Sequence, residues 1–129
     1  MFSHIMVGSN DIDRSKRFYD SLFAALGAKP GRIDDKGRLS YVHNGAAFMV
    51  SRPIDGQPAC FANGGTIGFN VDGPEAAQRW QEAGVAAGGT AIEDPPGIRS
   101  NAFGSLYLAY LRDPDGNKLC ALHRVAQDA

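Results

Sequence analysis

Residues 107–123 read YLAYLRDPDGNKLCALH, and this stretch predicts a β-hairpin. The segment 107–111 is aromatic and apolar, as the residues of a buried strand are. The sequence DPDG at 113–116 is typical of a tight turn. Proline fixes its own φ, aspartate side chains bond the backbone ahead of them, and glycine accepts the exit conformation. Residues 118–123 then form the returning strand.

The composition predicts one soluble domain, residues 1–129, that is long enough to bury a core of its own. The net charge is −1 and no basic stripe is visible, so nucleic acid and acidic membrane surfaces are not expected as partners. No apolar run approaches the ~20 residues of a membrane span, and the first residues show no leader pattern. The two cysteines, Cys60 and Cys120, do not make a disulfide framework. We therefore expect a cytoplasmic protein with free thiols.

The first half of the chain begins with a strand and a helix. A strand pattern over 2–7 precedes apolar residues that recur at three- and four-residue spacings through residues 12–26, which predicts an amphipathic helix. Ser9 or Asn10 is the expected N-cap of this helix, and Gly27 is the expected glycine at its end.

Three strands are predicted after this helix. Residues 31–37 indicate a short edge strand and a turn. Residues 38–43 and 46–51 predict two longer strands, joined by Asn44-Gly45, the pair that most strongly favours a two-residue hairpin turn. The Pro- and Gly-rich residues 52–65 then read as a connector.

The second half of the chain repeats this order. Residues 66–71 predict a strand, Pro74 opens a helix with Trp80 on its buried face, and Gly88-Gly89 ends it. A weak strand over 91–99 then leads to the hairpin described above.

The two halves align along most of their length. His4 matches Thr66 without a gap, and placing the two turns opposite one another sets Met49 against Cys120. This pattern indicates an internal duplication, with one unit at about residues 1–60 and the other at about 65–125. The predicted fold class is α+β, built from two tandem β-α-β-β-β units.

The sequence RDPDGN at 112–117, followed by an apolar strand, resembles the closing hairpin of the vicinal-oxygen-chelate superfamily. That superfamily includes glyoxalase I, bleomycin and fosfomycin resistance proteins and extradiol dioxygenases. The resemblance extends from residue 1 to about residue 125. It implies two curled sheets that enclose a cavity, with the helices outside. It also implies a homodimer, with the cavity formed in one chain or across two.

In metal-dependent members of that superfamily, four ligands come from equivalent strands of the two units. The resemblance transfers these positions to His4, Met49, Thr66 and Cys120. Divalent Zn, Ni, Mn and Fe prefer imidazole and carboxylate ligands, and only His4 is of that kind. The glutamate that serves as catalytic base in the glyoxalase isomerase mechanism is missing as well. We therefore predict no metal ligands and no cofactor.

Several interpretations of the same four residues stay open. They are the lining of an apolar pocket, or a soft-metal site in which imidazole, thioether and thiolate bind Cu(I). A third interpretation pairs Cys120 as a nucleophile with His4 as its base, which makes these two the candidate catalytic residues. A fourth is a metal bound through other residues. All four side chains are expected to converge on one cavity.

Further residues are candidates for ligand binding. Asn70 shares a strand face with Thr66 and Gly68, where small side chains leave room for a ligand. Arg52 and Arg99 lie in predicted loops, where they can hold a carboxylate or phosphate or can be ordinary surface residues. Three aromatic residues can form a wall of the cavity or pack in the core: Phe61, Phe103 and Tyr107.

The expected function is the binding of a small organic molecule in the cavity. Catalysis as a lyase or isomerase without the usual metal is the first expectation. A protein that binds and sequesters its ligand without chemistry is the alternative. A metal-dependent glyoxalase or dioxygenase is the third, and the ligand set argues against it.

Overall fold

The computed structural model describes residues 1–102 and 104–125. The first unit contains β1 (His4–Gly8), α1 (Ile12–Ala24), β2 (Arg32–Ile33), β3 (Leu39–His43) and β4 (Ala46–Ser51). The second unit contains β5 (Ile67–Asn70), α2 (Pro74–Ala86), β6 (Thr90–Ala91), β7 (Gly97–Asn101), β8 (Gly104–Arg112) and β9 (Lys118–Arg124). Among the described residues, no helix is long and apolar enough to cross a membrane.

Each unit forms its own mixed sheet. The strand order is β1-β4-β3-β2 in the first sheet and β5-β9-β8-β6 in the second, where β7 also pairs with β8. In both sheets the first strand of the unit runs parallel to its last strand, and the other pairs are antiparallel. The predicted α+β fold of two tandem units is confirmed. The strand β7 is an addition that the second unit alone carries among the described elements.

Local signals in the sequence set most of these boundaries. Asn44 and Gly45 both have positive φ, 51° and 83°, as the predicted two-residue hairpin requires. The prediction for the ends of α1 was wrong by a few residues. Asp11 is the N-cap, because its side chain accepts a hydrogen bond from the Arg14 amide. The helix ends at Ala24, and Gly27 takes the left-handed conformation three residues later.

One face of each sheet packs into a shared hydrophobic core. In the first unit, Tyr19 of α1 packs against Phe48 of β4 with the two rings tilted, and the ring centroids are 4.9 Å apart. In the second, Phe69 of β5 lies 6.4 Å from the fully buried Trp80 of α2. Phe69 therefore lies on the helix side of its sheet. Phe69 also contacts Phe23 of α1, at 5.1 Å, which joins the two halves of the core.

The DPDGN turn at 113–117 holds the second unit against the first. The buried Asp113 carboxylate accepts hydrogen bonds from the Tyr19 hydroxyl at 2.6 Å and from the Asn117 side chain at 2.8 Å. Its other oxygen accepts from the amides of Asp115 and Asn117, both at 2.9 Å. All four donors are satisfied by one carboxylate, so the turn and the Tyr19 side chain fix one another.

Two neighbours of Asp113 extend this junction. The Asp115 carboxylate accepts from the Arg14 guanidinium and from the Asn10 amide, both at 2.9 Å. The Asn117 side chain donates to the carbonyl of Gly8, the last residue of β1, at 3.2 Å. The turn therefore contacts the end of β1 and the start of α1 at once.

Replacement of Asp113 by Asn is expected to destabilise the protein by about 1–3 kcal/mol, because the new amide meets the Asn117 amide as a second donor inside the core. The Tyr19 hydroxyl also loses its charged acceptor. Chemical denaturation followed by circular dichroism measures the loss in free energy of unfolding.

Asp34 offers a matched control for this variant. Its Oδ1 atom accepts from the amides two and four residues ahead, those of Lys36 and Arg38, as Asp113 does in its own turn. Asp34 is exposed and its ion pair with Arg38 is a surface one, so Asp34→Asn should cost less than about 1 kcal/mol. Equal losses in the two variants would contradict a special role for the buried turn.

Candidate functional site

The positions suggested by the resemblance lie on the sheet faces that carry no helix. In the first sheet, Met49 pairs with Met6, so His4 lies on the same face two residues away along β1. In the second sheet, Cys120 pairs with Gly68, and Thr66 precedes β5 by one residue. The structure thus brings His4 and Met49 to one sheet face and places Cys120 on the other sheet.

The surroundings of these four residues differ sharply. His4 and Thr66 are exposed, and the His4 Nδ1 atom lies 2.8 Å from the Ser3 hydroxyl. Met49 is half-buried. Cys120 is 5% exposed and packs with Leu106 and Leu108 in a small apolar cluster separate from the main core.

The thiol of Cys120 is held in its neutral form. Burial raises the pKa of Cys120, and a hydrogen bond with Tyr110 only partly offsets this effect. Burial also raises the pKa of Tyr110, which faces Cys120 across the β8–β9 pair. Among charged groups, Glu93 and Lys118 act most on the thiol. A buried neutral thiol is a weak nucleophile, so this geometry favours hydrogen bonding over covalent attack.

Tyr110 is a neighbour of the site that the sequence analysis did not select. Its phenol lies under the Lys118 ammonium, 5.0 Å from ring centroid to nitrogen, and Lys118 also pairs with Glu93. The spacing of residues in the predicted hairpin already places Tyr110 opposite Cys120. Residues at equal distances from the centre of a hairpin turn lie opposite one another, and 110 and 120 are equally far from Asp115.

The residues at the four positions do not fit a divalent metal ion. They supply one imidazole, one thioether, one hydroxyl and one buried thiol, and no carboxylate. In the part of the chain that the structure describes, no three His, Cys, Asp or Glu side chains come together as a metal-binding group.

The surface beside Cys120 is open at Gly68. Gly68 is exposed, and a Cβ atom added there would meet no atom within 4 Å, although Gly68 is the strand neighbour of the buried Cys120. A glycine inside a strand gives up side-chain packing, and such positions often mark the close approach of a ligand or another chain. Asn70, two residues on, is exposed on the same face.

The two candidate arginines have different surroundings. The Arg99 guanidinium donates to the carbonyls of Asp94, Pro95, Gly97 and Leu108 at 2.8–3.0 Å. These bonds tie the segment before β7 to β8. Arg52 is exposed, and it donates to the Asn10 carbonyl at 3.2 Å.

The candidate aromatic residues do not form one wall. Tyr107 is buried, and its hydroxyl accepts from the Gln78 side chain of α2 at 2.8 Å, so it lies on the helix side of the sheet. Phe61 is 41% exposed and its ring contacts the Arg112 guanidinium at 5.0 Å. Phe103 lies outside the described residues.

Comparisons with known proteins agree with this fold. The family model of the glyoxalase/bleomycin resistance protein/dioxygenase superfamily matches residues 1–121, and the chain therefore belongs to that superfamily. No match was found among curated proteins.

Solved structures add similar chains. A glyoxalase/bleomycin resistance protein from Albidiferax ferrireducens T118 is 53% identical with a TM-score of 0.93, covering 96% of this chain and 99% of that one. A glyoxalase/bleomycin resistance protein/dioxygenase family enzyme from Burkholderia phytofirmans PsJN is 19% identical, with a TM-score of 0.72 and coverage of 95% and 98%. Lactoylglutathione lyase from Agrobacterium tumefaciens is 17% identical, with a TM-score of 0.65 and coverage of 95% and 92%. The last two show a shared fold.

The two cysteines should differ in reactivity towards a thiol reagent such as 5,5′-dithiobis(2-nitrobenzoate) at pH 8. Cys60 is exposed and should react at once. Cys120 should react slowly, because it is buried and its raised pKa lowers the thiolate fraction. The variant Cys60→Ser isolates the slow phase, and Cys120→Ser isolates the fast one. Fast reaction of Cys120 in the folded protein would show that its thiol is open and activated.

Proposed function

We propose that this protein binds a small organic molecule on the helix-free face of its second sheet, beside Cys120. The open space above Gly68 is the observation that carries the proposal. It adjoins the apolar cluster of Leu106, Leu108 and Cys120, which lies apart from the main core. An apolar surface with a few polar groups is the usual composition of a small-molecule site.

The chemistry of this face favours an uncharged ligand. Cys120 and Tyr110 offer a neutral thiol and a neutral phenol, because burial raises the pKa of each group. Lys118 and Glu93 pair with one another, so neither supplies a free charge. A carbonyl-bearing molecule with an apolar body would accept a hydrogen bond from the phenol and fill the space at Gly68.

Two activities are compatible with such a site. A lyase or isomerase would need a group that gives or takes a proton, and the Tyr110 hydroxyl is the group best placed for it beside Cys120. A sequestering protein would need only the binding surface. We place the lyase or isomerase first. We expect it to work without a metal, because the residues at the four family positions include no carboxylate. Near-equimolar Zn, Ni, Mn or Fe in purified protein, resistant to mild chelation, would contradict this.

We also propose that the protein is a homodimer. The helix-free face of the first sheet exposes large apolar side chains, with Met6 at 45% and Val42 at 73% exposure. Paired surfaces of this kind are favoured because association removes apolar area from water. Sedimentation that finds only monomer at micromolar concentration would contradict the dimer.

The ligand site is tested by titrating ¹⁵N-labelled protein with acetophenone, an uncharged carbonyl compound. Amide shifts should cluster at Gly68, Leu108 and Cys120. Gly68→Leu should weaken binding by about tenfold or more, because the new side chain fills the open space, and a tenfold loss corresponds to about 1.4 kcal/mol. Following the ligand signals over time then separates turnover from sequestration.

The control for this titration is Ala91→Leu, an exposed position in β6 of the same sheet. It should bind acetophenone as the unchanged protein does. Shifts that cluster away from β5 and β9, or equal binding by Gly68→Leu, would refute the proposed site.

A further inference from the structure

A second cleft lies along β5. It has a volume of about 280 Å³ and is formed between the end of α1, the helix-facing side of the first sheet and β5. Three aromatic rings from three different elements form its wall: Phe23, Phe48 and Phe69. Phe69 lines the cleft from the helix side of β5, and Gly68 and Asn70 of the same strand line it as well, so the cleft adjoins the helix-free face described above. Cys120 is not among the described residues that line it.

The aromatic wall is held rigidly. Phe69 lies 5.1 Å from Phe23 and 5.5 Å from Phe48, measured between ring centroids, and Tyr41 lies 4.9 Å from Phe23. The Tyr41 hydroxyl donates to the Asp20 carboxylate at 2.7 Å, which fixes this ring and leaves its apolar surface towards the cleft. The wall therefore presents ring faces and edges rather than polar groups.

The rim of the cleft is polar but carries little charge. Among the described residues that line it there is no Asp, Glu, Lys or Arg. The polar groups are His43, Asn44 and Asn70, and the His43 ring nitrogen lies 3.2 Å from the Asn44 amide nitrogen. A charged ligand would lose its hydration here without gaining an opposite charge.

We propose that this cleft is a separate binding site for a flat, uncharged aromatic molecule with one hydrogen-bonding group. The ring-lined wall suits an aromatic body, and the amides and imidazole at the rim suit a single polar group. The volume is close to the lower end of small-molecule pockets, about 300–1,000 Å³, and too small for a packed helix. The inference does not require a ligand beside Cys120, although the two sites share Gly68 and Asn70.

The test uses N-phenyl-1-naphthylamine, an uncharged aromatic probe that fluoresces in apolar surroundings. The unchanged protein should bind it saturably at one site per chain. Ala46→Phe should weaken binding by about tenfold or more, since Ala46 lines the cleft and a larger ring would occupy it. Position 46 is exposed and in a strand, where aromatic residues are favoured, so this variant should fold. Ala28→Leu fills the cleft from another side.

Two controls define the outcome. Ala91→Phe places the same ring on an exposed strand position away from the cleft and should bind the probe normally. The anionic analogue 8-anilinonaphthalene-1-sulfonate should bind about tenfold more weakly or worse, because no cation lines the cleft.

Unchanged affinity for the probe in both Ala46→Phe and Ala28→Leu, with native circular dichroism, would overturn the proposal. So would a loss of affinity in Cys120→Ser alone, which would place the probe beside Cys120. A third contrary result is displacement of the probe as the protein dimerises, measured by sedimentation. That result would assign the cleft to the contact between two copies.

Discussion

The hydrogen bond from the Tyr19 hydroxyl to the Asp113 carboxylate joins the two halves of this molecule at the point where both are buried. A buried carboxylate is tolerated only when donors replace its lost water, and here two backbone amides and two side chains do so. Burial and the neighbouring Asp113 charge raise the pKa of Tyr19 well above its usual value, so the phenol keeps its proton and remains a donor. The Tyr19 hydroxyl is thus a donor across the ordinary pH range.

This junction sets the position of the candidate site without taking part in it. The turn lies between β8 and β9, and the side chains that face the proposed ligand, Tyr110 and Cys120, lie opposite one another on these two strands. Fixing the turn against β1 and α1 therefore fixes the register of the hairpin and the distance of Cys120 from β5. The segment most diagnostic of the superfamily is, in this chain, a structural element.

Much of this arrangement was predictable because it rests on local chemistry. The turns at Asn44-Gly45 and 113–117, the helix that opens at Pro74 and the orientation of Phe69 all follow from short-range patterns. The role of the buried Asp113, which the sequence did not predict, depends on a partner far away in the chain. Asp34 and Asp113 each accept from the amides two and four residues ahead, but the second oxygen of Asp113 accepts from Tyr19 and Asn117, whereas that of Asp34 pairs with Arg38. Tyr19 is far from Asp113 in the sequence, so the turn residues alone do not reveal this partner.

The character of the site follows from what replaced the usual acidic ligand. A carboxylate at the position of Cys120 would need a metal or a cation beside it, since an unpaired buried charge is costly. A thiol has no such need, and it fits the apolar cluster with Leu106 and Leu108 as a small hydrophobic group. Of the charges nearby, Lys118 and Glu93 pair with one another, and the Arg99 guanidinium donates to backbone carbonyls. At the proposed site a charged molecule would lose its water without gaining a free opposite charge, so an uncharged ligand is expected there.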